Sequence, residues 1–485
     1  MFMTQMLING TKTDAVNKLT IDVIDPSDGK VFTTIPRGGQ QDVDHAVTAA
    51  RAALNGDWGK LAAFERGRLL NRLGQKVLEH QEELSRLESR DTGKPISTAR
   101  GDIGVLARYF EFYGGGADKV HGQTIPFLND YSVELVREPL GVTAHIIPWN
   151  YPAQMFGRSV APALAMGNAV VVKPAEDACL SILRVAELAM EVGFPAGAVN
   201  IVTGLGEEAG AALSSHPDIN FISFTGSNEV GTLIQQSAAV NAVKCVLELG
   251  GKSAHVVFDD VNVELAIPAI VKGIVHNTGQ TCTAGSRLLL QKGVHDTFLK
   301  ALAEAFSQTR AGTPDMDLTC GPVINKSQWE RINRYIQKGT EEGLEVVAQG
   351  QIADDVPEGG FFVTPTIFGA RNHDSELLMH EIFGPVLVVV PFDTEEEAIA
   401  TANATEYGLM AAVWSENGGC QQRVARAMQA GQVYINSFGA GGGVELPFGG
   451  VKKSGHGREK GFIALEEMST TKTIVHYHGQ AGIRS

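Results

Sequence analysis

The sequence predicts an α/β protein built on parallel sheets, on three observations. From residue 141 onward, short β-branched runs alternate with helical stretches, at 142–147, 169–172, 199–202, 219–224, 243–247 and 254–258. Such alternation implies βαβ units, because parallel neighbours need a crossover. A second alternating block begins near residue 282, with apolar runs at 287–290, 386–390, 411–414 and 432–435, and is read as a second α/β domain. At 485 residues the chain also exceeds the size at which one hydrophobic core keeps growing, so two or three packed units are expected.

The first hundred residues follow a different pattern. Between 46 and 90, apolar and charged residues recur at helical spacing, and Asp91-Thr92-Gly93-Lys94-Pro95 supplies stop signals. This part is expected to be largely helical. The last run, 470–478, alternates β-formers with polar groups, as does a short strand that pairs with another element or another subunit. No internal repeat of fixed period is present.

Composition narrows the function. A net charge of −15 opposes the phosphate attraction behind most nucleic-acid binding. The segment 1–10 lacks the basic region and apolar run of a secretory leader, and no apolar stretch is long enough to span a bilayer. Five cysteines, with no C-x-x-C pair, fit neither a disulfide framework nor a zinc site, so a reducing cytoplasm is expected and no metal site is assigned.

Three glycine-bearing or charged turns follow predicted strands. Gly204-Leu205-Gly206-Glu207-Glu208-Ala209-Gly210 approaches a dinucleotide fingerprint with one gap a residue too long, and a plain strand-to-helix turn explains it equally well. Thr225-Gly226-Ser227 precedes a helix start, where backbone N–H groups and a hydroxyl suit a phosphate; Ser227 or Asn228 acting only as a helix cap is the simpler alternative. Lys173-Pro174-Ala175-Glu176 sets a cation and a carboxylate at the carboxyl end of a strand, where α/β sheets bind nucleotides. A carboxylate accepts both ribose hydroxyls of NAD and repels the 2′-phosphate of NADP. A solvated Lys/Glu pair is the alternative.

The chain resembles the aldehyde dehydrogenase superfamily through six strings in family order: Pro148-Trp149-Asn150-Tyr151-Pro152, Lys173-Pro174-Ala175-Glu176, Phe224-Thr225-Gly226-Ser227, Glu248-Leu249-Gly250-Gly251-Lys252-Ser253, Gly279-Gln280-Thr281-Cys282 and Glu381-Ile382-Phe383-Gly384-Pro385. The resemblance covers nearly the whole length. It implies a Rossmann-like NAD-binding domain (1–120 and 140–250), a catalytic α/β domain (251–453) and a small β bridging element (121–139 and 454–485), assembled as a homodimer or homotetramer.

The same resemblance implies the site. Cys282 is the expected nucleophile, since a thiolate adds readily to an aldehyde and the thiohemiacetal then yields a thioester. On cysteine chemistry alone it would more often be a small buried hydrophobe. Asn150, otherwise a turn residue, is expected to donate to the developing oxyanion together with the Cys282 N–H. Glu248 is expected to act as the base that hydrolyses the thioester, and its presence favours a free acid over a CoA ester. Lys173 is counted with both the catalytic and the cofactor residues. The remaining NAD contacts are carried over to Ile147, Pro148, Trp149, Glu176, Gly226, Ser227, Val230, Leu249, Glu381 and Phe383.

Tyr151, Met155, Arg158, His276 and Phe448 are expected to line the aldehyde tunnel. Succinate-semialdehyde dehydrogenases carry an arginine where this chain has Arg158, but usually a second one where it has His276. Arg158 therefore either clamps a substrate carboxylate or pairs with a glutamate at the tunnel mouth, Glu445 in the 441–445 loop being the candidate. Glu459 matches a further family carboxylate, with a surface ion pair to Arg458 or Lys460 as the simpler alternative. A thiol esterase using Cys282 and Glu248 without redox chemistry, and a non-catalytic oligomer of the same fold, are the competing functions.

Overall fold

The computed structural model describes residues 4–370, 375–439 and 443–479. Its first large sheet is parallel at its centre, in the order Val199–Ile201, Ala169–Pro174, Val142–Ile147, Phe221–Thr225 and Lys244–Glu248. These strands are buried almost throughout, which is why they stand in the sequence as continuous apolar runs. The chain steps outward in one direction from Val142–Ile147, then returns to its other side with Phe221–Thr225. This reversal is a topological switch point, and a crevice opens there at the carboxyl ends of the strands.

The second sheet has the order Glu345–Gln349, Thr366–Gly369, Val386–Phe392, Arg287–Gln291, Ala254–Val257, Met410–Trp414 and Gln432–Ile435, parallel except for the first pair. Its alternate side chains feed two cores: Val256, Leu289, Val388 and Val413 on one face, Val257, Leu288, Val389 and Ala412 on the other. A third, antiparallel sheet pairs Ser469–Tyr477 with Tyr131–Pro139, in register from Ser469 opposite Pro139 to Tyr477 opposite Tyr131.

One expectation needs revision. The helices of the N-terminal part begin only at Gln40–Asn55; before them lie the strands Met6–Ile8, Thr11–Thr13, Thr20–Asp25 and Lys30–Pro36. These are short, and the hairpin made by the last two is half exposed, so the strong helical period farther on hid them. Gly455–His456 adds antiparallel to Lys244–Glu248 and so belongs to the first sheet. Among the described residues, no helix is long and apolar enough to cross a membrane.

Candidate active site

Loops leaving the first sheet meet loops entering the second around a cavity of about 220 Å³. Pro148, Trp149 and Asn150 follow Val142–Ile147, Thr225–Ser227 close Phe221–Thr225, and Glu248 to Gly250 end Lys244–Glu248. Opposite them stand Cys282, ahead of Arg287–Gln291, and Glu381 and Phe383, ahead of Val386–Phe392. A larger groove of about 1330 Å³ holds none of these residues, and Arg184 and Arg90 there are paired with Glu83, Glu187 and Asp25.

Cys282 packs against a small cluster of Leu409, Met410 and Phe448. Burial pushes its thiol up to about 12, Arg158 pulls the other way, and Glu381 and Glu248 add to the rise. Asn150 is buried and its Nδ2 donates to the carbonyl of Gln280 at 3.0 Å, which leaves the second N–H of that amide for another acceptor. Glu248 is buried with neither carboxyl oxygen partnered. Burial holds it well above the ordinary carboxylate range, opposed by the charge of Arg158 and reinforced by Glu459.

At the other end of the cavity, Ser227 caps the helix Asn228–Val240 by accepting from Val230 N at 3.3 Å. Glu381 Oε1 accepts from Gly251 N at 2.9 Å, and burial raises this carboxyl to about 7. Trp149 and Phe383 meet edge to face with centroids 5.4 Å apart, and Phe383 has a φ of 61°. Lys173 and Glu176 form an ion pair at 2.6 Å at the end of the neighbouring strand. Neither lines the cavity, nor do Ile147 and Val230.

Of the tunnel residues, Met155 lines the cavity itself. Tyr151 stacks on His276 at 6.1 Å and its hydroxyl shares a 2.7 Å hydrogen bond with Thr281. Arg158 lies over the ring of Phe448 at 4.6 Å. Its partner is not Glu445, which pairs with Arg108 at 2.7 Å, but the buried Glu459. Glu459 is therefore no surface carboxylate: Arg158 Nε donates to one oxygen and Ser223 Oγ to the other, at 2.7 Å for the serine. Arg158 Nη2 is buried without a partner. Residues 441 and 442 of the glycine loop lie outside the described residues.

The turn at 204–210 opens a short helical segment away from this cavity, with Glu208 paired to Arg37 at 2.6 Å, in line with a plain strand-to-helix turn. Several residues of the site carry no local signal. Asn277 and Thr278 adopt positive φ of 49° and 56° in the loop before Cys282, and Asn277 Nδ2 donates to the Asn150 carbonyl at 3.0 Å. Gln328, Arg331 and Tyr407 also reach the cavity, from elements that no motif marks.

Two α/β bodies on largely parallel sheets thus close on a crevice with a cysteine inside. The chain belongs to the aldehyde dehydrogenase family, whose model matches residues 13–474. A crystal structure from Burkholderia cenocepacia is 54% identical, covers 98% of this chain and 100% of its own, and superposes with a TM-score of 0.97. Betaine aldehyde dehydrogenase from Staphylococcus aureus, solved in complex with NAD+, is 37% identical, covers 100% of this chain and 97% of its own, with a TM-score of 0.95. An aldehyde dehydrogenase of Emericella nidulans is 42% identical over 478 residues, 98% of this chain and 95% of that one.

Proposed function

We propose that this chain oxidises an aldehyde to its carboxylic acid with NAD, through a thioester on Cys282. The observation that carries this reading is the convergence of Cys282, Asn150 and Glu248 on one cavity that also reaches the capped helix start at Ser227 and the Glu381–Phe383 turn.

The residues present suit the dinucleotide. Glu381 keeps Oε2 free of the Gly251 bond for ribose hydroxyls, Trp149, Leu249 and Phe383 offer apolar walls, and Gly226 and Ser227 bring the helix N-terminus to phosphate, with Val230 on its first turn. Lys173 and Glu176, with Ile147 and Pro148 beside them, would hold the adenosine ribose; the carboxylate of Glu176 favours NAD over NADP. When bound, the nicotinamide supplies the hydride acceptor that turns the thiohemiacetal into the thioester.

The chain's own groups do the rest. The Cys282 sulfur adds to the carbonyl carbon, and the second N–H of the Asn150 amide, with the Cys282 N–H, stabilises the oxygen that gains charge. Glu248 takes a proton from water as its oxygen adds to the thioester, the C–S bond breaks, and the acid leaves. Burial raises both Glu248 and Cys282 and so favours their protonated forms, and each acts only after it has lost its proton.

The aldehyde is a semialdehyde or an aromatic aldehyde entering past Tyr151, Met155, His276 and Phe448. The unpartnered Nη2 of Arg158 supports a substrate with a carboxylate end, while the Glu459 pair supports a neutral one. Arg158→Ala separates them by raising KM for semialdehydes alone or for none. We further propose a cytoplasmic enzyme, assembled as a homodimer or homotetramer through the Ser469–Tyr477 sheet. Residues 1–120 with 140–250 would hold the cofactor and 251–453 would hold the thiol.

Incubation with NAD or NADP and a panel of aldehydes tests the function through the absorbance of reduced nicotinamide. Turnover with NAD is the expected result. Ester hydrolysis without any nicotinamide reduction would favour a thiol esterase, and no turnover of either kind a binding protein.

A further inference from the structure

The turn at 91–95, a helix stop in the sequence, delivers a lysine into the interior. Gly93, at φ 80°, ends the helix Gln81–Thr92, and Lys94 follows it at 1% exposure. An ammonium has three N–H donors, and the structure uses all of them: on Asp102 Oδ2 at 2.6 Å, on Glu88 Oε1 at 3.4 Å and on the backbone carbonyl of Asn150 at 3.1 Å. The ring of Tyr151 lies 4.6 Å from the same nitrogen. Both carboxylates are fixed in turn, Asp102 by Gln154 Nε2 at 2.5 Å and Glu88 by Ser181 Oγ at 2.5 Å.

Burying three charges is a poor way to gain stability, because desolvation offsets most of the attraction. The contact with Asn150 gives the cluster a different use. Lys94 and Asn277 Nδ2 hold the Asn150 carbonyl, and Gln280 O holds its side-chain amide at 3.0 Å, so this residue is gripped at both ends. Asn277 and Gln280 belong to the loop that ends at Cys282, whereas Lys94 ties the same carbonyl to the helices of the N-terminal part.

We propose that Lys94 is a positioning residue, holding the backbone of Asn150 so that the free N–H of its amide faces the oxygen of an aldehyde attached to Cys282. The inference rests on the role given to Asn150 above. Geometry of this kind matters because a 1 Å misplacement costs about 10²-fold in rate.

A double-mutant cycle on the full-length enzyme tests it, with kcat, KM for NAD and melting temperature measured for Lys94→Met, Asn150→Ala and the pair. Lys94→Met leaves two buried carboxylates without their cation, so the cycle is repeated in an Asp102→Asn background. Gln154→Ala, which frees Asp102 while keeping the lysine, is a milder disturbance should neither Lys94 variant fold.

Lys94→Met is expected to lower kcat by roughly 10–10²-fold with KM for NAD little changed, and to add almost nothing once Asn150 is alanine. Gln154→Ala should show the same split in smaller measure. Full additivity, or a lower melting temperature with kcat unchanged, overturns the positioning role and leaves the site intact. An Asn150→Ala enzyme with undiminished kcat overturns the reading of the site and the role of Lys94 with it.

Discussion

Around Lys94 the ammonium and both carboxylates are hydrogen-bonded, whereas beside the Arg158–Glu459 pair Glu248 has no hydrogen-bond partner at all. The first cluster uses all three ammonium donors and fixes both carboxylates from behind. In the second, Arg158 Nη2 and both oxygens of Glu248 are buried without a hydrogen bond, although Arg158 and Glu459 are paired. A satisfied network in a low-dielectric interior is rigid, while an unsatisfied one is costly unless water or a ligand enters. Both clusters sit beside the same cysteine loop, and on the proposed reading the satisfied one holds the frame while the unsatisfied one faces substrate and water.

The largest expected effect falls on the unsatisfied cluster. Glu248→Gln should lower steady-state kcat by about 10²–10⁴-fold while leaving a first-turnover burst of reduced nicotinamide, which stopped-flow absorbance would detect. The loss of the burst as well would deny that Glu248 acts after oxidation. On the satisfied cluster the main effect is on stability: Lys94→Met should cost about 3–5 kcal/mol, read from the shift in denaturant midpoint, because it strands buried carboxylates.

A pH profile sharpens the contrast. Burial raises Glu248, Arg158 lowers it and Glu459 raises it. As a base it must be ionised, so deacylation should rise with pH through a limb above the ordinary carboxylate value of 4.5. Glu459→Gln removes a charge that raises Glu248, so the limb should move to lower pH; a limb that stays put or moves up would contradict this. The smallest effect returns to stability. Glu248→Gln removes a carboxyl with no native partner and should change unfolding by less than about 1 kcal/mol, well short of Lys94→Met.

Much of this frame is legible in the chain. Buried parallel strands read as near-continuous apolar runs, so Val142–Ile147 stands out residue for residue; the half-buried edge strand Gln432–Ile435 does so too, and others to within one or two. The strands before Gln40 do not, being too short to establish a period. At the site, the motifs point to Cys282, Asn150 and Glu248 only through family resemblance, because a lone cysteine, a turn asparagine and a strand-end glutamate have simpler uses. The partners are harder still. Glu459 lies 301 residues from Arg158 and 236 from Ser223, and Lys94 lies 56 from Asn150, so no local pattern records these contacts. Glu445 lies near Phe448 in the chain, which suggests it as a partner for Arg158, yet its exposed side chain bonds Arg108 instead.

On the proposed mechanism, carbon becomes attached to the sulfur of Cys282 before acid is released. Glu248→Gln enzyme, mixed with NAD and an aldehyde that the native enzyme oxidises, then quenched in acid and digested, should show the peptide bearing Cys282 heavier by the acyl group, with Cys179, Cys245, Cys320 and Cys420 unmodified. An unmodified Cys282 peptide after a full burst of reduced nicotinamide, or the acyl group on another cysteine, would contradict it.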